Sequence, residues 1–267
     1  MPWQLSVIRA ALRLLPPPVR VRWAARLFLK ARRHPEPARE AMWRERGVAC
    51  DVGGMAGVRF GDGVRTAWLL HGWEGRGLQL SAFIEPLVAA GWTVVALDGP
   101  GHGRTPGRAG FVPFAHHLGL GLKEAAPDAI IAHSMGGAAV LIAADRAGFQ
   151  GAIACLGGPP ETAHIAGRAM DVLGVDRRLE ARFMTHARRP FAAYDLDGVL
   201  DTQGRAASWS GRVHAWLADG DDDIPVDESR AIVAAAGGGC TVVSGVGHRS
   251  IMWHAPTVAE VVAFVDA

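Results

Sequence analysis

Residues 130–141 read IIAHSMGGAAVL: an apolar run meets a serine, and two glycines then open an alanine-rich stretch. The run has the length and residue types of a buried strand, and the alanines those of a helix. Ser134 therefore stands where a strand turns into a helix. Such a serine is either a small residue that fits a tight turn or a nucleophile presented by it. To decide between the two, a base, an acid and donors for an oxyanion must be found elsewhere in the chain.

Around this stretch, strand and helix patterns alternate. Strand candidates are residues 66–70, 93–97, 129–133, 152–156, 213–218 and 241–244, all near-continuous apolar runs. Continuous rather than alternating apolarity is expected of a parallel sheet covered on both faces. Helix-length segments separate them at Leu78–Ala90, Val112–Ala125, Met135–Ala147 and Asp227–Ala236, and Pro256–Asp266 closes the chain. Strand, helix, strand in series predicts an α/β, mostly parallel, doubly wound sheet. Residues 48–65 are glycine-rich and predict an N-terminal hairpin turning at Gly61-Asp62-Gly63. The interval 159–210 contains no clear strand but has helical spacing at Ile165, Met170, Leu173, Leu179, Phe183 and Met184, which predicts a small helical lid.

In parallel sheets, sites form at the carboxyl ends of strands, and four such ends here carry polar groups. The first leads to His71-Gly72-Trp73, where glycine allows a sharp turn that frees the next N–H. The third is Ala132-His133-Ser134-Met135-Gly136-Gly137, whose small residues two before and two after the serine permit a strained strand-to-helix elbow. The N–H of Met135, at a helix N-terminus, would face developing negative charge. The strand at 213–218 runs into Asp219-Gly220-Asp221-Asp222-Asp223-Ile224-Pro225, and the last leads to Gly245-Val246-Gly247-His248. A histidine on a glycine-rich loop can meet a serine from another strand, and a carboxylate can fix its tautomer.

The segments LLHGW, GWTVVALDGPGHGRT, AHSMGG, DGDDDIPV and GVGHRSI together resemble successive landmarks of the α/β-hydrolase superfamily with a serine nucleophile, in the order nucleophile, acid, histidine. The resemblance runs from about Ala67 to the C-terminus. It implies an α/β-hydrolase fold in which Ser134 is the nucleophile and His248 the general base. The main-chain N–H groups of Trp73 and Met135 would then form the oxyanion hole. For the acid it implies Asp221, four positions before Pro225, with Asp223, three positions after Gly220, and Asp222 between them as alternatives. The elbow departs from the family pattern in carrying Ala132 where glycine is usual. The implied activity is that of a carboxylesterase-like serine hydrolase acting on a small ester through an acyl-enzyme. Lipase, thioesterase and peptidase activities are alternatives on the same fold, as is a non-catalytic binding module. The implied chemistry needs no metal and no organic cofactor.

Competing motifs fail on spacing. Gly99-x-Gly101-x-Gly103 is too short for a dinucleotide fingerprint and is interrupted by Pro100, and neither Lys30 nor Lys123 follows a glycine as a phosphate-binding loop requires. The net charge of +2 conceals a surplus of eight positive charges within residues 1–50. That confinement gives the body no nucleic-acid signature. Residues 1–47 form a basic, amphipathic helical segment, a pair of helices marked by Leu5, Ile8, Leu12 and Leu15 and by a second run from Val19 to Arg33, that packs on the domain of residues 48–267 or touches an acidic membrane surface. Three cysteines without a CxxC pair, no signal-peptide pattern and no membrane-spanning run give a cytoplasmic expectation.

Overall fold

The computed structural model describes residues 2–192, 194 and 201–267, so residues 193 and 195–200 of the expected lid lie outside the described residues. The chain opens with three helices, α1 (Pro2–Arg13), α2 (Pro17–Phe28) and α3 (Ala38–Arg46), followed by strands β1 (Val48–Val52), β2 (Met55–Phe60) and β3 (Arg65–Leu70). Then come α4 (Ile84–Ala89), β4 (Trp92–Leu97), α5 (Phe111–Ala125), β5 (Ala129–His133), α6 (Met135–Ala147) and β6 (Ala152–Leu156). The insertion holds α7 (Thr162–Leu173), α8 (Glu180–Arg188) and α9 (Thr202–Ser208), and the chain ends with β7 (Val213–Ala218), α10 (Val226–Ala235), β8 (Gly239–Val243) and α11 (Ala255–Asp266).

The eight strands form one sheet in the order β1-β2-β4-β3-β5-β6-β7-β8, parallel from β4 through β8 and antiparallel at the β1–β2–β4 edge. Every residue of β4, β5 and β6 is buried, as a sheet covered on both faces requires. One face packs against α5, α6, α9 and α10 through Phe114, Leu118, Leu141, Ala206 and Ile232. The other packs against α3, α4 and α11 through Trp43, Ile84, Leu87, Val261 and Val265. This is the mostly parallel, doubly wound sheet expected from the alternating pattern, and it has the α/β-hydrolase arrangement that the resemblance implies.

The hairpin turns at Gly53-Gly54, with φ of 59° and 78°, rather than at Gly61-Asp62-Gly63. Two successive positive φ values are what the tight primed turn demands, and Gly-Gly meets them without steric cost. Gly61–Gly63 instead carries the chain across the end of β4, because β2 and β3 lie on opposite sides of that strand. Both glycine clusters look like turns locally, and only the strand order tells them apart. Helix α3 also exceeds the sequence expectation. It follows Pro37 and is so rich in charge that its apolar stripe reduces to Trp43, which meets Phe60 edge-on at 5.7 Å.

The amphipathic N-terminal helices pack on the insertion. Leu12, Val21, Ala24 and Ala25 form one buried cluster with Ala166, Met170, Leu173, Phe183 and Ala187 of α7 and α8. A cap of two chain segments therefore stands over the carboxyl ends of the strands. Among the described residues no helix is long and apolar enough to cross a membrane.

Phe183 is fully buried where the two segments of the cap meet, and its ring lies 5.6 Å from that of Phe28. Phe183→Ala should cost about 3–5 kcal/mol of cap packing. In limited proteolysis, the variant should be cut between residues 1 and 47 or within 159–210 well before the sheet is attacked.

Candidate active site

Five neighbouring strand ends build the site, because β3, β5, β6, β7 and β8 lie side by side in the sheet. Ser134 joins β5 to α6 with φ 52° and ψ −121°, a backbone state that a side-chain-bearing residue adopts only under constraint. Its N–H donates to Leu156 O at 3.0 Å on β6, and its carbonyl accepts from Gly137 N at 2.8 Å. A Cβ on Gly136 would lie 2.7 Å from His71 O, so glycine is what lets α6 approach the β3 loop. Ala132, the departure from the family pattern, sits fully buried within the β5 ladder between Leu70 and Cys155.

The Ser134 hydroxyl is 3.0 Å from His248 Nε2, and His248 Nδ1 is 2.7 Å from Asp221 Oδ2. A Nδ1–H donating to the carboxylate leaves Nε2 free to accept from the serine. The other carboxylate oxygen of Asp221 accepts from the N–H groups of Asp223 and Ile224, both at 2.8 Å. Burial pushes the Asp221 carboxyl upward, but its hydrogen bond to His248, the charge there and these two N–H donors outweigh burial. The net effect holds its pKa below the ordinary aspartate value. Of the three candidate acids, only Asp221 reaches the imidazole. Asp223 Oδ1 accepts from Arg168 Nη2 at 2.7 Å, and Asp222 is held through its main-chain carbonyl by Arg168 Nη1 at 2.5 Å. A serine linked through imidazole to a carboxylate is the arrangement that lets a hydroxyl lose its proton as it attacks. Trp73 and Met135 flank the serine, and neither main-chain N–H has a protein acceptor among the described residues.

Three further histidines surround this group. His71 Nδ1–H donates to Gly72 O at 2.6 Å, while its Nε2 accepts from Gly99 N at 2.8 Å, so the ring joins the β3 and β4 loops. His133 Nε2–H donates to the carbonyl of His248 at 2.8 Å and tethers the β8 loop to β5. His102 Nδ1–H donates to Pro100 O at 3.0 Å, and its ring lies 4.9 Å from that of His71. Burial lowers all three pKa values, to about 4 for His71 and about 3 for both His102 and His133.

Sequence reasoning missed the link between this site and the N-terminal segment. Glu74 and Arg76, in the loop after β3, each take a partner from the N-terminal segment. Arg32 embraces the Glu74 carboxylate through its N–H, Nε and Nη2 at 2.9–3.1 Å, and Arg76 Nε reaches Glu40 at 2.5 Å. Glu74, at φ 57°, immediately follows Trp73, and the Trp73 ring stacks on Phe28 at 5.7 Å. A signal was present in the form of the acid at position 74 and the basic run at 30–33. Sequence separation of 42 residues hid the pairing. Above Ser134 lies a cavity of about 1600 Å³, walled by this segment on one side and by α7 on the other.

Residues 69–263 match the alpha/beta hydrolase family, and the chain belongs to it. An 85-residue stretch is 35% identical to pimeloyl-[acyl-carrier protein] methyl ester esterase of Neisseria meningitidis, covering 32% of this chain and 33% of that protein. Among solved structures, an esterase of Pyrococcus furiosus superposes with a TM-score of 0.64 at 16% identity, covering 89% of this chain and 96% of its own. The 2-hydroxy-6-oxo-6-phenylhexa-2,4-dienoate hydrolase of Rhodococcus sp. superposes with a TM-score of 0.59 at 16% identity, over 83% of this chain and all of its own. The family match places the chain among the alpha/beta hydrolases, and the two solved structures share its fold.

The buried histidines set the acid stability. Each is neutral when folded, with a pKa below the ordinary 6.5, so the folded state keeps its full stability above pH 6.5. Stability drains as pH falls toward 4, because the unfolded chain takes up protons that the folded chain refuses. The slope should approach about 1.4 kcal/mol per pH unit for each ring. The melting temperature should fall steeply between pH 6.5 and 4. His133→Gln, which retains a donor, should flatten that fall.

Proposed function

We propose that the protein is a serine hydrolase of carboxylic esters, with Ser134 as nucleophile, His248 as general base and Asp221 as the carboxylate that orients it. The observation that carries this reading is the imidazole of His248 bridging the Ser134 hydroxyl at 3.0 Å and Asp221 at 2.7 Å. The constrained backbone of Ser134 favours catalysis over a binding module, since a turn serine has no need of strain. The esterase activity named for the Neisseria and Pyrococcus relatives supports an ester as substrate.

In this mechanism His248 Nε2 takes the hydroxyl proton as Ser134 Oγ attacks the ester carbonyl. The resulting oxyanion lies against the N–H groups of Trp73 and Met135, each contributing about 3 kcal/mol of transition-state stabilisation. Asp221 stabilises the imidazolium without taking its proton. His248 then protonates the departing alkoxide, leaving an acyl group on Ser134. Water, deprotonated by the same imidazole, releases the acid.

The wild-type protein should hydrolyse p-nitrophenyl butyrate with burst kinetics. Ser134→Ala should lower kcat by about four to six orders of magnitude without unfolding the chain. Turnover by that variant comparable to wild type would remove Ser134 from the chemistry.

The choice of acid separates cleanly by mutation. Asp221→Asn should reduce kcat by about 10⁴-fold through loss of the correct imidazole tautomer. Asp223→Asn, which alters a carboxylate paired with Arg168, should stay within about tenfold of wild type. Steady-state assays on the two variants side by side check both expectations.

A further inference from the structure

The cavity above Ser134 is larger than a small ester needs, and its walls divide by chemistry. Ile8, Leu27, Phe28, Ile165 and Leu173 make an apolar interior. Arg22, Arg26, Lys30, Arg108, Arg189 and Arg249 also line it, and all six are exposed, which places them at its rim. None of the six has a carboxylate within ion-pair distance among the described residues. The acidic groups among the described lining residues, Glu74 and Asp223, are already held by Arg32 and Arg168. Arg22 and Arg26, four residues apart, share one side of α2, and Lys30 follows just past its end.

Cations gathered around one opening repel one another and raise the local potential, which draws in anions. A single carboxylate would answer one or two of them, whereas a phosphorylated group carrying several charges answers the set. Arginine's donor fork matches phosphate geometry. The apolar interior meanwhile takes hydrocarbon. Resting on the serine-hydrolase reading above, we infer that the natural substrate is an acyl ester or thioester whose leaving arm is phosphorylated. The acyl chain lies between the N-terminal segment and α7, and the arm lies across the basic rim. For a thioester, the Ser134 Oγ–acyl bond forms as the carbon–sulfur bond breaks. His248 returns the proton to the thiolate, and water then releases the carboxylic acid from Ser134.

The test uses two substrates with the same reacting bond, octanoyl-coenzyme A and the neutral octanoyl-N-acetylcysteamine thioester. At low salt kcat/KM for the coenzyme A ester should exceed that for the neutral one by about 30-fold or more. The ratio should fall toward one in about 0.5 M NaCl as the rim is screened. Arg22→Gln/Arg26→Gln/Lys30→Gln should cut the ratio by about tenfold and leave the neutral thioester within about twofold. Among the described residues these three side chains bear no ion pair, and circular dichroism would verify that the fold is kept. Equal use of both substrates would overturn the inference. So would a preference that appears only with anionic vesicles present, which would give the rim to a lipid surface. Calorimetry with the Ser134→Ala protein keeps the two readings apart. Salt-sensitive binding of octanoyl-coenzyme A at least tenfold tighter than of the neutral thioester supports the rim even if no turnover is found. Absence of that difference refutes it even in an active esterase.

Discussion

Ser134 at φ 52° is the point on which the rest of the site is built. An isolated chain would relax such a backbone, which costs about 1–3 kcal/mol, so the surroundings must hold it. They do so from three sides. The Ser134 N–H is taken by β6, its carbonyl opens α6, and the missing side chain of Gly136 lets that helix press against the β3 loop. A strand buried on both faces and a helix with ten buried residues over-determine the junction between them. The outcome is a hydroxyl aimed at His248 rather than at its own helix.

The imidazoles extend the same logic. His71 and His133 each use one ring nitrogen to tie one strand-end loop to another; the His71 tie accepts an N–H and so needs a neutral ring, and burial keeps both rings neutral. Their burial therefore confers rigidity at neutral pH and imposes a liability in acid. The Asp221 loop is held differently, by its own main-chain N–H groups on one oxygen and by Arg168 of α7 on the neighbouring residues. The cap is thus fastened to the loop that carries the carboxylate. On the other side of the cavity, the clasp of Arg32 on Glu74 fastens it to the loop that carries Trp73.

Much of this architecture is legible in the chain itself. The strands at 129–133, 152–156 and 213–218 lie where their apolar runs place them, because a doubly covered parallel strand tolerates little else. The serine, histidine and aspartate cluster are legible because each follows a strand end with glycine beside it. The hairpin turn was misplaced because two glycine clusters carry the same local signal. Helix α3 escaped notice because charges dominate its sequence. The Glu74–Arg32 pair was invisible because charge complementarity across 42 residues leaves no periodicity to read.

What the sequence determined by itself is the alternation of elements and the kinds of residue at the strand ends, both of which follow from short-range sterics and hydrophobic period. Tertiary structure decided that Asp221, which the count from Pro225 favours, meets His248 while Asp222 and Asp223 do not. The three are neighbours with the same carboxylate, and only the path of the β7 loop, pinned by the N–H groups of Asp223 and Ile224 on the Asp221 carboxylate and by Arg168, separates them. It also decided that the N-terminal helices complete the cavity over Ser134 together with α7 and α8. An amphipathic helix encodes that it must bury a face, but the partner that receives it is set by where the sheet has already placed the insertion.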